Sequence, residues 1–402
     1  MILRFQEFVD FTTKFISLSS RKRLLMHISL LSPVRKDLHE NIFYKYIYNP
    51  NYCFFIFIQL ALFLKNNINF LIYLKVLIFS LLSGNKSKGG FQEISIRNSD
   101  VAIVTHCNTI EQLDANEDSY YGCRKNLNNT SFIVLNKTHF AGNNLLKKVQ
   151  TFDISNSFLL DLPSSFSPVI KAYWHSYKAF FYLFIKWIYS PFDRLILSTA
   201  IDSLSLSSVT NFIIFIQLKT ILLKYKFKKV VITWEGYPWE RQLTDFCNRN
   251  NISIYGYVHA GPFPDQISAF RFLGDNYEPT SILSHSEVSQ SLLNSYFGRK
   301  SLHIGSHKYN FINNNNILNS SSSIRTDTNT KTLLVIPQGT VSEVKTLFKF
   351  ALESLDGQFN MIIRLHPALQ KQSNLLSSIY TLCNRSKFKN SITIFLFISL
   401  SF

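Results

Sequence analysis

Lys229-Val230-Val231-Ile232-Thr233-Trp234-Glu235-Gly236-Tyr237-Pro238-Trp239-Glu240-Arg241 is the stretch that decides the fold. Its first five residues form a β-branched apolar run, which predicts a buried strand. Gly236 permits a tight turn. Pro238 suits the first turn of a helix, which the pattern extends over 238–248. A second strand follows over 252–258. Runs at 281–284 and 301–304 predict two more, with a helix over 287–296 between them. Strand and helix alternate, as in a parallel sheet covered by helices.

Working outward, Val101-Ala102-Ile103-Val104 and Phe132-Ile133-Val134-Leu135 read as further buried strands. They are expected to stop in the polar loops Thr105-His106 and Asn136-Lys137-Thr138. Residues 167–225 are long, aromatic and helical in period, with a break at Pro191. An Asn-, Ser- and Thr-rich tract at 313–330 reads as a linker. Beyond it the alternation restarts, with a strand at 333–336, a helix at 341–354 and a strand at 361–365. The expected fold class is therefore α/β, with two Rossmann-like parallel-sheet domains facing a cleft. The expected division is an N-terminal helical region at 1–95, a first domain at 96–312 with a helical insertion at 165–228, the linker, and a partial second domain at 331–402.

In the N-terminal region, apolar runs at 54–64 and 70–82 are separated by Lys65-Asn66-Asn67. Each is shorter than the roughly 20 residues a helix needs to cross a bilayer. Packed helices are the plain reading. A helical hairpin on a membrane surface is the alternative, and a true span the third. Residues 1–31 lack the order of a signal peptide.

The chain carries 42 Lys plus Arg against 25 Asp plus Glu, a formal net charge of +17. That field favours anionic partners. Nucleic acid is excluded as the expected partner, because no helix-turn-helix, zinc-finger or RNA-binding aromatic signature occurs. At 46% hydrophobic residues the chain is too apolar to be disordered. Its five cysteines, Cys53, Cys107, Cys123, Cys247 and Cys383, form no C-x-x-C pair. This argues against a disulfide framework or structural zinc and fits a reducing cytoplasm.

Four segments could carry chemistry. Glu235 stands just past a strand end beside Trp234, where a carboxylate can act as a general base; a solvated loop carboxylate is the plain alternative. Glu240 falls in a first helical turn, where negative charge offsets the helix dipole, and Trp239 reads as core. His259 follows a strand in Tyr257-Val258-His259-Ala260-Gly261-Pro262 and either meets a phosphate or acceptor or merely closes the loop. Asp265 and Asp275 lie nearby without a fixed spacing.

In Pro337-Gln338-Gly339-Thr340-Val341-Ser342-Glu343, Thr340 and Glu343 have capping-box spacing. The same loop offers backbone N–H groups to a phosphate. It is neither a Walker loop nor a dinucleotide fingerprint. Arg364 and His366, two apart in Arg364-Leu365-His366-Pro367, share one face of a strand end and suit a diphosphate.

Together the segments W-E-G-Y-P-W-E-R, Y-V-H-A-G, I-G-S-H-K-Y (304–309) and I-R-L-H-P resemble bacterial surface-carbohydrate biosynthesis proteins of capsule and O-antigen type. These have GT-B glycosyltransferase architecture and are similar to Kdo-transferases, sialyltransferases and CDP-glycerol glycerophosphotransferases. The resemblance spans 101–369. It implies a nucleotide-sugar donor and a glycan or lipid-linked acceptor; the basic charge and the apolar N-terminal helices favour a cytoplasmic protein peripheral on the inner face of the bacterial membrane. It also implies Glu235 as base, with Trp234, Glu240 and His259 lining the acceptor side. His366 and Arg364 would hold the leaving phosphate, and Gln338, Gly339, Thr340 and Ser342 the nucleotide. No metal or other cofactor is implied, because cationic side chains and helix termini can carry the phosphate charge.

One feature departs from that pattern. The chain ends soon after its H-P motif, and the apolar run at 392–402 is expected to reflect a truncated or shifted reading frame. The alternatives are a non-catalytic remnant or membrane-associated scaffold, and a glycerol-phosphate-type phosphotransferase on the same fold.

Overall fold

The computed structural model describes residues 51–82, 99–107, 117–118, 120–123, 130–136, 157–160, 166–190, 194–259, 272–295, 298–306, 331–336, 341–354, 359–364, 377, 379, 381 and 392–395. The chain divides into two compact units, Met1–Asn310 and Phe311–Phe402. The linker tract, Pro191, Asp265 and residues 1–50 lie outside the described residues.

The first unit is built on seven parallel strands in the order β5-β4-β1-β6-β7-β8-β9. Their ranges are β1 Val101–Cys107, β4 Thr130–Asn136, β5 Ser157–Leu160, β6 Lys229–Thr233, β7 Ser253–Val258, β8 Ser281–Ser284 and β9 Ser301–His303. A small antiparallel pair, β2 Glu117–Asp118 and β3 Gly122–Cys123, sits between β1 and β4 in the chain. From β1 the chain winds outward to β4 and β5. It then returns to lay β6 on the other side of β1 and winds away through β7, β8 and β9. The sheet is therefore doubly wound, and its switch point lies between β1 and β6, where such sheets form a crevice at the carboxyl ends.

The return from β5 to β6 is helical: α2 Phe166–Tyr189, α3 Arg194–Ser203 and α4 Leu206–Tyr225. The Ser205 hydroxyl accepts from the Ser208 N–H at the start of α4. Lys226, left-handed at φ 53°, ends it by donating its N–H to the Leu222 carbonyl. α5, Pro238–Arg249, covers the same sheet. Leu218, Ile221 and Leu222 of α4, and Trp239, Leu243 and Phe246 of α5, close over Val104, Val230 and Ile232. α6, Glu287–Ser295, joins β8 to β9.

The N-terminal apolar runs form one continuous helix, α1 Tyr52–Leu82, and not a hairpin. The expected break at Lys65-Asn66-Asn67 does not occur, because neither Gly nor Pro stands there and the asparagines find partners within the helical layer. Asn67 Nδ2 donates to the Phe63 carbonyl at 2.8 Å, and the Tyr177 hydroxyl donates to Asn67 Oδ1 at 2.7 Å. Asn66 Nδ2 donates to the Ile201 carbonyl at 3.0 Å. Among the described residues, two stretches, Tyr52–Lys75 and Leu206–Tyr225, are long and apolar enough to cross a membrane by length and composition.

The second unit holds a parallel sheet ordered β10-β11-β12, with β10 Lys331–Val335, β11 Phe359–Arg364 and β12 Ile392–Phe395. α7, Val341–Ser354, links β10 to β11 and buries Val344, Phe348 and Ala351. Both units are thus α/β with parallel sheets, as the alternation of apolar runs leads one to expect.

Candidate functional site

The carboxyl edge of the first sheet gathers groups that lie far apart in the chain. β1 continues three residues past Val104, through Cys107, so that Thr105 and His106 are buried strand residues. This corrects the reading of Thr105-His106 as a loop. β6 ends on Thr233, next to β1 across the switch point. Thr233 Oγ1 lies 3.4 Å from His106 Nε2.

The loop after β6 is organised by a buried carboxylate. Glu240 Oε2 accepts backbone N–H groups from Glu235 at 2.9 Å, Gly236 at 2.7 Å and Tyr237 at 3.0 Å. Gly236, at φ 81°, makes the bend that lets all three point at one oxygen. Glu240 Oε1 accepts from Thr233 Oγ1 at 3.3 Å. Burial and the nearby Glu235 charge push the Glu240 carboxyl up to about 8, against the downward pull of the three N–H donors. Glu240 is fully buried. It shapes the loop rather than lining the acceptor side.

Glu235 is raised clear of that nest. Its side chain is 20% exposed, and Oε1 lies 3.6 Å from Nε2 of His259, which is 25% exposed at the end of β7. The Tyr237 phenol is hydrogen-bonded to Glu235, and burial with the flanking Glu235 and Glu240 carboxylates pushes that phenol upward. Tyr120, in the turn between β2 and β3, sets its ring edge-on to His259 at 4.3 Å and to His106 at 5.4 Å. Trp239 closes the far side of His106, edge-on at 5.8 Å. Two imidazoles, a carboxylate and two phenols therefore converge where the sheet reverses its winding. The carboxylate can accept a proton and the imidazoles can take or give one.

Trp234 does not line this edge. Its ring is in the core, with the Arg241 guanidinium 4.5 Å from its centroid and Gly256 on another side. Arg241 is itself fully buried and donates Nη1 to Glu278 Oε1 at 2.6 Å and to the Tyr277 carbonyl at 3.1 Å. Trp234 and Arg241 thus brace the loop from beneath. Asp275 starts a single 3-10 turn, Asp275–Tyr277, whose carbonyls receive the Asn248 side chain, and it serves that connection.

In the second unit, Arg364 is the last residue of β11 and Ser342 lies in the first turn of α7. Gln338, Gly339, Thr340 and His366 lie outside the described residues. Among the described residues, no three His, Cys, Asp or Glu side chains gather in a way that could hold a metal ion.

Thr233, His106, Tyr120 and Tyr237 escape a reading of local motifs. The signal that could have found His106 is its repetition of the His259 pattern, an apolar strand closing on a histidine at the carboxyl end.

No protein-family model matches the chain, and no curated protein matches it in sequence. Its fold is similar in outline to that of a glycosyltransferase from Rickettsia africae ESF-5, with TM-score 0.37, 13% identity, and 73% of this chain and 67% of that one covered. It is similar to the UDP-GlcNAc 2-epimerase from Neisseria meningitidis bound to UDP-GlcNAc, with TM-score 0.38, 12% identity, and 73% and 71% covered. It is also similar to a UDP-N-acetylglucosamine 2-epimerase from Rickettsia bellii, with TM-score 0.37, 10% identity, and 75% and 70% covered. These are likenesses of outline, and they assign no residue of this chain a role.

Proposed function

We propose that this chain is a glycosyltransferase of GT-B type that moves a sugar from a nucleotide-activated donor to a hydroxyl of a glycan or lipid-linked acceptor in surface-polysaccharide synthesis. The observation that carries the reading is the Glu235–His259 pair, 3.6 Å apart and held by Tyr237 and Tyr120 at the carboxyl edge of a doubly wound sheet. Such an edge is where parallel α/β sheets take ligands. A partly exposed carboxylate there, with a hydrogen-bonded phenol to orient it, suits proton removal from an incoming hydroxyl.

In this mechanism Glu235 takes the proton of the acceptor hydroxyl, and the freed oxygen bonds to the anomeric carbon. The bond from that carbon to the phosphate oxygen breaks, and the phosphate leaves with the nucleotide. His259, 3.6 Å from Glu235, positions that carboxylate. Arg364 and His366 of the second unit are assigned to the leaving phosphate, with Gln338, Gly339, Thr340 and Ser342 on the nucleotide.

The test is a titration of the full chain with UDP-, CMP-, CDP- and GDP-activated sugars by calorimetry, alongside transfer of a labelled sugar. Glu235→Gln is expected to keep donor affinity within about twofold and to lower transfer by about a hundredfold or more. Loss of donor binding in step with transfer would remove Glu235 from the role of base.

A further inference from the structure

The helical layer carries a surface that the sugar-transfer reading does not use. α1 and α2 run antiparallel, as three contacts along them show: Phe63 with Phe180, Asn67 with Tyr177, and Phe70 with Tyr173. Phe55 and Tyr73 of α1, with Val169, Ala172 and Leu183 of α2, turn inward to the helical core.

The outward side is apolar as well. At about 100° per residue, Phe57, Leu60, Leu64 and Leu71 fall on the side of α1 away from Phe55, and each is more than half exposed. On α2, Trp174, Phe181 and Ile185 follow the seam on that same outward side, at 61%, 56% and 52% exposure. Apart from Lys75 near its far end, this outward side of α1 is apolar and left to solvent, the character of a helix in contact with lipid.

Charge decides what covers this face. Neither α1 nor α2 contains an acidic residue. Lys171, Lys178 and Lys186 run along the border of the α2 stripe remote from α1. Lys178 stands 5.1 Å over the Trp174 ring and Lys186 5.0 Å over Tyr182. An apolar stripe bordered by lysines and amphipathic aromatics matches the acyl and headgroup levels of an anionic bilayer. Asn66 donates to the Ile201 carbonyl and Asn67 accepts from the Tyr177 hydroxyl, so the inner face of α1 belongs to the protein.

We infer that the outward face of α1 and α2 is an in-plane docking surface for a bilayer containing anionic phospholipid. The inference holds whatever the site on the sheet transfers.

The experiment is sedimentation of the full chain with vesicles of phosphatidylcholine alone or with about a third phosphatidylglycerol, a composition chosen to supply surface charge. Binding is expected to be at least tenfold tighter to the anionic vesicles and to weaken with salt, and brominated acyl chains should quench tryptophan fluorescence. A K171E/K178E/K186E variant should lose most of the anionic preference, and Phe181→Ser with Ile185→Ser should lose binding to both vesicle types. Circular dichroism melts of each variant must match the parent, and Lys178→Gln serves as the mild substitution if the triple variant melts early. Equal binding to both vesicle types would overturn the inference. So would a fully reversible dimer in light scattering with no vesicle binding, or resistance to alkaline extraction showing that α1 crosses the bilayer.

Discussion

Glu235 Oε1 lies 3.6 Å from His259 Nε2, although the two belong to different strand ends and approach only because β6 and β7 are neighbours. A pair that acts as a unit has non-additive effects. Glu235→Gln and His259→Asn are each expected to lower transfer by about a hundredfold or more, and the double variant to be little worse than the worse single one. Single-turnover kinetics on the four proteins measures this. Fully additive losses would separate the two residues.

Glu240 predicts a pH dependence of stability. Its carboxyl is raised in the folded protein to about 8 from an ordinary 4.5. The folded state therefore holds a proton that the unfolded state releases above the ordinary value. The stabilisation is fully present below about pH 4.5 and is lost as pH rises through about 8. Glu240→Gln imitates the protonated form, with its carbonyl facing the three N–H groups and its amide facing Thr233. This variant is expected to stay within about 1 kcal/mol of the parent at pH 6 and to flatten the decline in urea-midpoint stability between pH 5 and 8. An unchanged slope would remove Glu240 as its source.

Gly256 is packed so closely that a Cβ there would sit 3.0 Å from Trp234 Cβ and Cγ and 3.2 Å from Pro279 Cγ. Gly256→Ala is expected to cost about 1–3 kcal/mol by overpacking. Equilibrium unfolding in urea reads the cost directly, and a neutral result would mean that Trp234 can shift.

Arg241 is fully buried, with its guanidinium between the Trp234 ring and Glu278, which also lies 3.7 Å from Arg299 Nη1. Arg241→Ala leaves a buried space and a carboxylate with Arg299 still 3.7 Å away, and should cost about 3–5 kcal/mol. Arg241→Lys should recover only part of this, because an ammonium lacks the planar fork that reaches both Glu278 and the Tyr277 carbonyl. Thermal melts with ligand-free protein test both substitutions.

The α1 continuity rests on the asparagine pair. Tyr177→Phe removes the donor to Asn67 Oδ1 and should cost about 1 kcal/mol. Asn66→Leu should cost more, since the Ile201 carbonyl also accepts from it in the packed layer. Denaturant unfolding of the two variants ranks them; the reverse order would show that the α1–α3 bond is the weaker tie.

Much of the fold can be read from the chain alone. Apolar runs of strand length, Pro238 at a helix start and the 238–249 helix are set by local sterics and capping, so their positions follow from neighbouring residues. The alternation in both units, and hence the parallel sheets, follows as well. The role of Glu240 as a first-turn acid was legible, but not its nest of three N–H groups. Tertiary structure alone decided which strand ends meet. The switch point sets β1 beside β6, and with that His106 against Thr233, a pairing across 127 positions that no local spacing encodes. It also sent Trp234 into the core while lifting Glu235 out, because successive residues after a strand end diverge according to what packs beneath them. And it joined two short apolar runs into α1, since Asn66 and Asn67 break a helix only where the surrounding layer offers them no partner.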